Sequence, residues 1–126
     1  PQLPQIMADP ILIEQVLINL MKNGTESVDT ANRPVGARKV DLNVTRASIE
    51  GQDCVRFQIT DSGSGLPPEV LERLFEAFFT TKQEGMGIGL NLCRSIVESH
   101  HGRINAQNLY NGSEPIGCRF TFWIPI

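Results

Sequence analysis

Two glycine-rich loops are the parts of this sequence whose residue types and spacing could do chemistry. Gly63-Ser64-Gly65 follows Asp61, and Gly85-Met86-Gly87-Ile88-Gly89 runs directly into a segment with apolar residues at helical spacing. Glycine reaches positive φ without a Cβ penalty, so such loops can point several backbone N–H groups at one anion. A helix that starts near Ile88 adds its positive dipole end. The stretch 61–90 therefore predicts a nucleotide site that binds phosphate.

The strand predicted before the first loop supports this interpretation, which glycine clusters alone would not, since most of them are ordinary turns. Its apolar residues Val55, Phe57 and Ile59 alternate with polar ones, and Asp61 has the same parity. We expect Asp61 to point inward, where an unpaired carboxylate is costly and needs donors. An adenine amino group is one candidate donor.

A long amphipathic helix is predicted from Asp9-Pro10 to about Val28, with Asp9 as its cap and Pro10 at its first position. One face of this helix is apolar. A second face is polar but mostly uncharged, with side chains three or four residues apart: Gln15, Asn19, Asn23 and Glu26. A solvent face more usually carries Lys and Glu, so the amides suggest contacts to a ligand or a metal. An ordinary polar helix face is the alternative.

The remaining pattern predicts six further elements. They are strands at 40–45 and 54–61 joined by a turn at 50–53, helices at 67–77 and 90–99, the second capped by Gly102, and strands at 103–108 and 117–124. This order predicts an α/β (α+β) two-layer sandwich, with helices on one face of a mixed, largely antiparallel sheet. No GKS or GKT loop is present, and no strand leads tightly into G-x-G-x-x-G, so a dinucleotide fold is excluded.

Composition narrows the function classes further. The 126 residues, 40% hydrophobic and 20% charged, predict a single domain at 1–126. A net charge of -3 without a basic stripe gives nucleic-acid binding no support. Three scattered cysteines suggest reduced thiols in a cytosolic domain. The sequence has no apolar run of membrane-spanning length and starts at Pro1, so we expect a cytoplasmic fragment of a longer protein whose membrane anchoring stays open.

Four blocks of the sequence match a known family in order. QVLINLMKNGTES (15–27) looks like an N box, DSGSGLP (61–67) a first G box, LFEAFFTTK (74–82) an F box and GMGIGLNLCRSIVESHHG (85–102) a second G box with its helix. With the terminal FWIPI they cover nearly the whole chain, which resembles the catalytic ATP-binding domain of bacterial sensor histidine kinases. That domain shares the Bergerat ATP-binding fold with gyrase, Hsp90 and MutL. The sequences FFTTK and GMGIGLNLCRSIVESHHG are similar to those of the subgroup that includes nitrogen-regulation, dicarboxylate and oxygen-sensing kinases.

The resemblance implies a role for each matching residue. Asp61 would accept from the adenine amino group, Asn23 would coordinate Mg²⁺, and Asn19 would lie beside the phosphates. The segment 66–84 would be the ATP lid. Further implied residues are Gly63 and Gly65 at the adenine end, Gly85, Gly87 and Gly89 at the phosphate end, Lys82 as a phosphate contact, Leu90 as a further ATP-binding residue, and Phe75 and Phe78 as lid anchors. Glu26 stands where some relatives carry a lysine, so it is assigned no role.

The implied activity is phosphoryl transfer in two-component signalling. The domain would bind Mg-ATP and donate the γ-phosphoryl group to a histidine on a separate dimerisation domain of its parent, which would then serve a response regulator. The isolated domain is expected to be monomeric and the parent homodimeric. The signal sensed, the cognate regulator and the choice between cis and trans transfer stay open.

Three other activities compete with this one. An ATP hydrolase of the gyrase or MutL type needs a glutamate four residues before the metal asparagine, where this sequence has Asn19, and an amide cannot act as the base. A second alternative is a nucleotide-sensing domain without catalysis, but every motif position that matters carries a fitting residue. A third is a serine kinase of the anti-sigma-factor type, and the sequence FFTTK argues against it. His100 and His101 end the last predicted helix, where histidines favour its dipole, and neither is expected to be the phosphoacceptor.

Overall fold

The computed structural model describes residues 8–31, 39–63, 65–73, 75 and 88–126. Seven elements follow one another in the order that the sequence predicts: α1 (Pro10–Ala31), β1 (Val40–Ile49), β2 (Gln52–Asp61), α2 (Pro68–Leu71), α3 (Ile88–Ser99), β3 (Arg103–Asn111) and β4 (Glu114–Pro125). Among these residues no helix combines the length and apolarity needed to cross a bilayer.

The four strands form one sheet with the order β1-β2-β4-β3, and every pairing in it is antiparallel. Two hairpins, β1–β2 and β3–β4, are joined where β2 pairs with β4. Both long helices pack on the same face of the sheet. The predicted two-layer sandwich is confirmed.

The core lies between this face and the helices. Val16 and Leu20 of α1 meet Cys93 and Val97 of α3, and all four side chains are fully buried. In the sheet, four alternate residues of β4 share the buried face: Cys118, Phe120, Phe122 and Ile124. The ring of Phe122 stacks on Phe57 of β2 with 4.5 Å between centroids.

The start of α1 is capped as predicted. One Asp9 carboxylate oxygen accepts hydrogen bonds from the backbone N–H groups of Ile11 (2.9 Å) and Leu12 (3.3 Å). The Asp9 backbone N–H donates to Nε2 of His100, at 3.0 Å, just after α3. His100 Nδ1 lies 2.8 Å from the Ile96 carbonyl oxygen. The ring of His100 therefore connects the end of α3 with the capped start of α1.

The end of α3 differs from the prediction in one residue. The left-handed position is taken by His101, with φ 63°, and not by Gly102. The N–H groups of His101 and Gly102 donate to the carbonyls of Glu98 and Val97, which is a Schellman motif. Glycine is needed at 102 for a different reason: an added Cβ would lie 2.1 Å from the Trp123 carbonyl oxygen of β4.

Two other elements have different lengths from those predicted. The first hairpin closes over only Glu50 and Gly51, both at positive φ, so its strands extend further than the apolar alternation indicated. The predicted helix 67–77 is shorter, because α2 has no side-chain cap and gives way to a turn at Glu72 and Arg73. Phe75, the next described residue after Arg73, packs against the core.

Candidate nucleotide site

One row across the four strands places four residues side by side on the helix-covered face. Val40, Asp61, Cys118 and Asn108 are paired in this order across β1, β2, β4 and β3. Asp61 is 4% exposed, so the inward orientation predicted from its parity is confirmed. A carboxylate at this depth requires hydrogen-bond donors.

Three separate parts of the chain supply these donors. The backbone N–H of Gly63 donates to Asp61 Oδ1 at 2.8 Å, and the backbone N–H of Cys118 and the side chain of Ser27 also hydrogen-bond the carboxylate. Burial raises the pKa of Asp61 above its ordinary value, and these three hydrogen bonds act in the opposite direction. The net direction is upward, which means that the protein donors only partly replace the lost water. The site therefore favours a further donor at this carboxylate.

Helix α1 lies directly on the carboxylate and on the first glycine loop. A Cβ at Gly24 would come within 3.5 Å of the Asp61 Cβ, and a Cβ at Gly63 would lie 1.9 Å from the Ser27 hydroxyl oxygen. Gly63 is thus required by the close approach of helix and loop. Gly65 is required by its backbone, which has φ +75°. The structure brings the first G box and the second half of the N box into one place.

The two amides of the N box occupy the edge of α1 between its buried and exposed faces. Asn19 and Asn23 are both half-buried, one helical turn apart. The Asn19 side chain hydrogen-bonds Cys93 on α3, so the N box also reaches the helix of the second G box. Burial raises the pKa of the Cys93 thiol to about 11 and that of Cys118 to about 12, so both thiols are neutral neighbours and not nucleophiles.

The first turn of α3 contains Gly89 and Leu90, and Leu90 packs against the core. Phe75, predicted as a lid anchor, contacts the Phe120 ring edge-on, with 6.3 Å between centroids. The Nδ2 of Asn91 donates to the Phe75 carbonyl at 2.8 Å and so ties the segment to α3. Four predicted site residues lie outside the described residues: Phe78, Lys82, Gly85 and Gly87.

Sequence reasoning missed four residues that shape this site: Ser27, Asn91, Asn108 and Gly117. A Cβ at Gly117 would lie 2.0 Å from the Asp61 carbonyl oxygen. Ser27 follows Asn23 by four residues on α1, which continues the spacing of Asn19 and Asn23. This spacing could have indicated Ser27 as a site residue. Nothing local marks the others, because their partners are 16 to 56 residues away in sequence.

In the described residues, a buried carboxylate lies beside the first glycine loop, under two helices packed on one face of an antiparallel sheet, which is the architecture of an α+β domain. The family of histidine kinase-, DNA gyrase B- and HSP90-like ATPases matches residues 8–126. The chain belongs to this family.

Sensor histidine kinases and other sensor proteins are among its relatives. The chain is 40% identical to the C4-dicarboxylate transport sensor protein DctS of Rhodobacter capsulatus over 99% of its length, and 41% identical to the sensor histidine kinase ZraS of Escherichia coli O157:H7 over 98%. It spans only 18% and 24% of these two proteins. Family membership supports an ATP-binding catalytic role in two-component signalling.

Solved structures agree with the fold. The catalytic domain of histidine kinase ThkA superimposes with a TM-score of 0.69 at 35% identity, covering 95% of this chain and 70% of that one. Full-length ShkA in complex with AMPPNP superimposes with a TM-score of 0.69 at 28% identity, covering 98% of this chain and 23% of that one.

The raised pKa of Asp61 predicts how its contribution to stability changes with pH. A carboxyl group with a raised folded-state pKa binds its proton more tightly in the folded chain, so its favourable contribution is lost as the pH rises through that pKa. We expect the difference in unfolding free energy between wild type and Asp61→Asn to shift in favour of the variant from about pH 4 to about pH 7.

Urea unfolding without nucleotide at the two pH values measures this difference. Asp53→Asn, which removes an exposed carboxylate from the same strand, corrects for the loss of a negative charge. A difference that is independent of pH, or that shifts in favour of wild type, contradicts the prediction.

Proposed function

We propose that this domain, 1–126, binds Mg-ATP and donates the γ-phosphoryl group to a histidine on a separate dimerisation domain of its parent protein. The observation that carries the proposal is the buried Asp61 carboxylate, held by Gly63, Cys118 and Ser27 at the end of the sheet. The family's ATP-binding role and the sensor-kinase relatives support it.

The adenine end of the site is built around Asp61. A carboxylate is an acceptor, and adenine presents an exocyclic amino group where guanine presents a carbonyl oxygen. The incompletely compensated burial of Asp61 favours a ligand that donates there. Gly63 and Gly65 keep the adjacent loop free of side chains, so that a flat base can approach the backbone closely.

The phosphate end is assigned to the edge where α1 and α3 meet. Asn23 offers a hard amide oxygen for Mg²⁺ that is shared with phosphate oxygens, which suits this cation better than an all-protein cage. The described residues contain no cluster of three or more His, Cys, Asp or Glu side chains that could form such a cage. Asn19 is placed beside the phosphates, with Gly85, Gly87 and Gly89, Lys82 and Leu90 as further contacts. The segment 66–84, with Phe75 and Phe78, is proposed as the lid.

Transfer is favoured over hydrolysis by the residue four positions before Asn23. Asn19 is an amide and donates a hydrogen bond to Cys93, so it cannot take a proton from water as a carboxylate would. Phosphoryl transfer otherwise depends on positioning and electrostatic stabilisation, for which Asn19, Asn23 and the second G box are proposed. The nucleophile and its base would then come from the partner domain. An ATP hydrolase or a serine kinase of the same superfamily is the alternative.

The proposed partners are the parent's own phosphoacceptor domain and, through the whole kinase, a response regulator. The isolated domain is expected to be a monomer from a homodimeric parent, located in the cytoplasm. The likeness to full-length ShkA in complex with AMPPNP, of which this chain covers 23%, supports a domain of this kind working inside a larger chain.

Asp61→Asn should weaken ATP binding because it removes the charged acceptor for the adenine amino group. A hydrogen bond to a charged group contributes about 1.5 to 3 kcal/mol, which corresponds to a roughly ten- to hundredfold loss of affinity. Calorimetry should also show that wild type prefers ATP and ADP to GTP. The exposed Asp53→Asn is the matched control, and equal binding of GTP or an unaffected Asp61→Asn would disprove the adenine assignment.

Asn23→Ala should remove most of the strengthening of ATP binding by Mg²⁺, because the cation loses its amide ligand. The measurement is the ratio of ATP dissociation constants with and without Mg²⁺. Gln15→Ala, an exposed amide on the same helix, should keep the wild-type ratio. An unchanged ratio in Asn23→Ala means that this residue is not the ligand.

The isolated domain should bind ATP but neither label itself nor hydrolyse ATP at a useful rate, because it supplies no nucleophile and no base at position 19. Adding the parent's histidine-bearing helical hairpin should give an acid-labile, alkali-stable phosphohistidine from γ-labelled ATP. Stable label on the domain alone would indicate self-modification. Fast phosphate release that disappears in Glu26→Gln would indicate hydrolysis.

A further inference from the structure

Asn108 holds the backbone of Leu66 with both polar atoms of its side-chain amide. The Leu66 N–H donates to Asn108 Oδ1 at 2.8 Å, and Asn108 Nδ2 donates to the Leu66 carbonyl at 2.6 Å. A flipped amide would place oxygen against oxygen and N–H against N–H, so this orientation alone satisfies both groups. In this way one side chain satisfies both the N–H and the carbonyl of Leu66, as a paired residue of a neighbouring strand would.

The loop held in this way is the one that begins at Asp61. Gly63 at its start is bonded to the Asp61 carboxylate, and Leu66 at its end is bonded to Asn108. Asp61 and Asn108 stand in the same row of the sheet, separated by Cys118. The loop therefore crosses the end of the sheet between two fixed points.

The contacts of Gly65 show how closely the loop lies on Asn108. A Cβ at Gly65 would come within 3.0 Å of Asn108 Oδ1 and of the Pro115 side chain. The Asn108 amide also lies 3.5 Å from the Tyr110 hydroxyl, which can accept from Nδ2. Asn108 is half-buried, and Leu66, which it holds, packs against the core.

We propose that Asn108 is a positioning residue for the adenine end of the nucleotide site. It fixes the far end of the loop whose near end is fixed by Asp61, so the backbone at Gly63 and Gly65 is held in its binding position before the ligand arrives. Such preorganisation lowers the cost of ordering the loop on binding. The inference rests on the proposed function and assigns to it a residue from β3, outside all four motif blocks.

Calorimetry on three variants of the domain tests the assignment. Asn108→Ala should lose about five- to tenfold in affinity for both ATP and ADP, the range expected for one lost hydrogen-bonding partner. The ratio of ATP affinities with and without Mg²⁺ should stay at its wild-type value, because α1 is not touched. Asn108→Asp keeps the acceptor for the Leu66 N–H but repels the Leu66 carbonyl, so it should lose at least as much.

Asn105→Ala is the matched control, since Asn105 lies on β3 but faces the opposite side of the sheet, and it should bind as wild type does. Hydrogen exchange of the Leu66 amide, without nucleotide, should accelerate in both Asn108 variants and not in the control. This measurement shows whether the two hydrogen bonds between Asn108 and Leu66 exist independently of any ligand.

A purely structural role would reduce the folded fraction and leave the folded molecules with the wild-type dissociation constant; that result overturns the proposal. A loss confined to the Mg²⁺ effect, or Asn108→Asp binding like wild type, overturns it as well. Wild-type protein that binds no ATP would overturn the proposed function itself, whereas wild-type binding with unaffected variants overturns the Asn108 assignment alone.

Discussion

The buried carboxylate of Asp61 is the constraint on which the rest of this domain depends. Its hydrogen-bond partners come from α1, from the loop after β2 and from β4, so these three parts of the chain must meet at one point. Burial still raises the pKa of Asp61, because the three hydrogen bonds only partly offset the loss of hydration of the carboxylate. A ligand donor can complete the set, and this is the physical basis of the proposed adenine site.

Close backbone approach is the second requirement, and it explains glycines that lie far apart in sequence. Gly63 lies against Ser27, Gly117 against the Asp61 carbonyl and Gly102 against the Trp123 carbonyl. In each case a Cβ would occupy the space of a neighbouring atom. Among the described glycines of this site, Gly65 also has a backbone reason, its positive φ. At these points the backbone approaches its neighbours without a side chain between them.

The two helices that flank the site are joined at their far ends. The ring of His100 connects the end of α3 with the capped start of α1, while Asn19 and Cys93 connect the same helices nearer the site. Asn108 holds Leu66 and Asn91 holds Phe75, which are the first and the last described residues of the proposed lid 66–84. The proposed phosphate and adenine ends are thus supported by separate sets of contacts.

Local pattern determined the order of elements, the Asp9 cap and the inward position of Asp61, because periodicity of 3.6 or 2 is written directly in the sequence. The glycine loops and the spacing of the amides on α1 are also local features, so the nucleotide site could be predicted from them. Tertiary structure decided the rest. The contact of His100 with Asp9 and the hold of Asn108 on Leu66 depend on partners distant in sequence. A local pattern carries no information about which distant groups will meet.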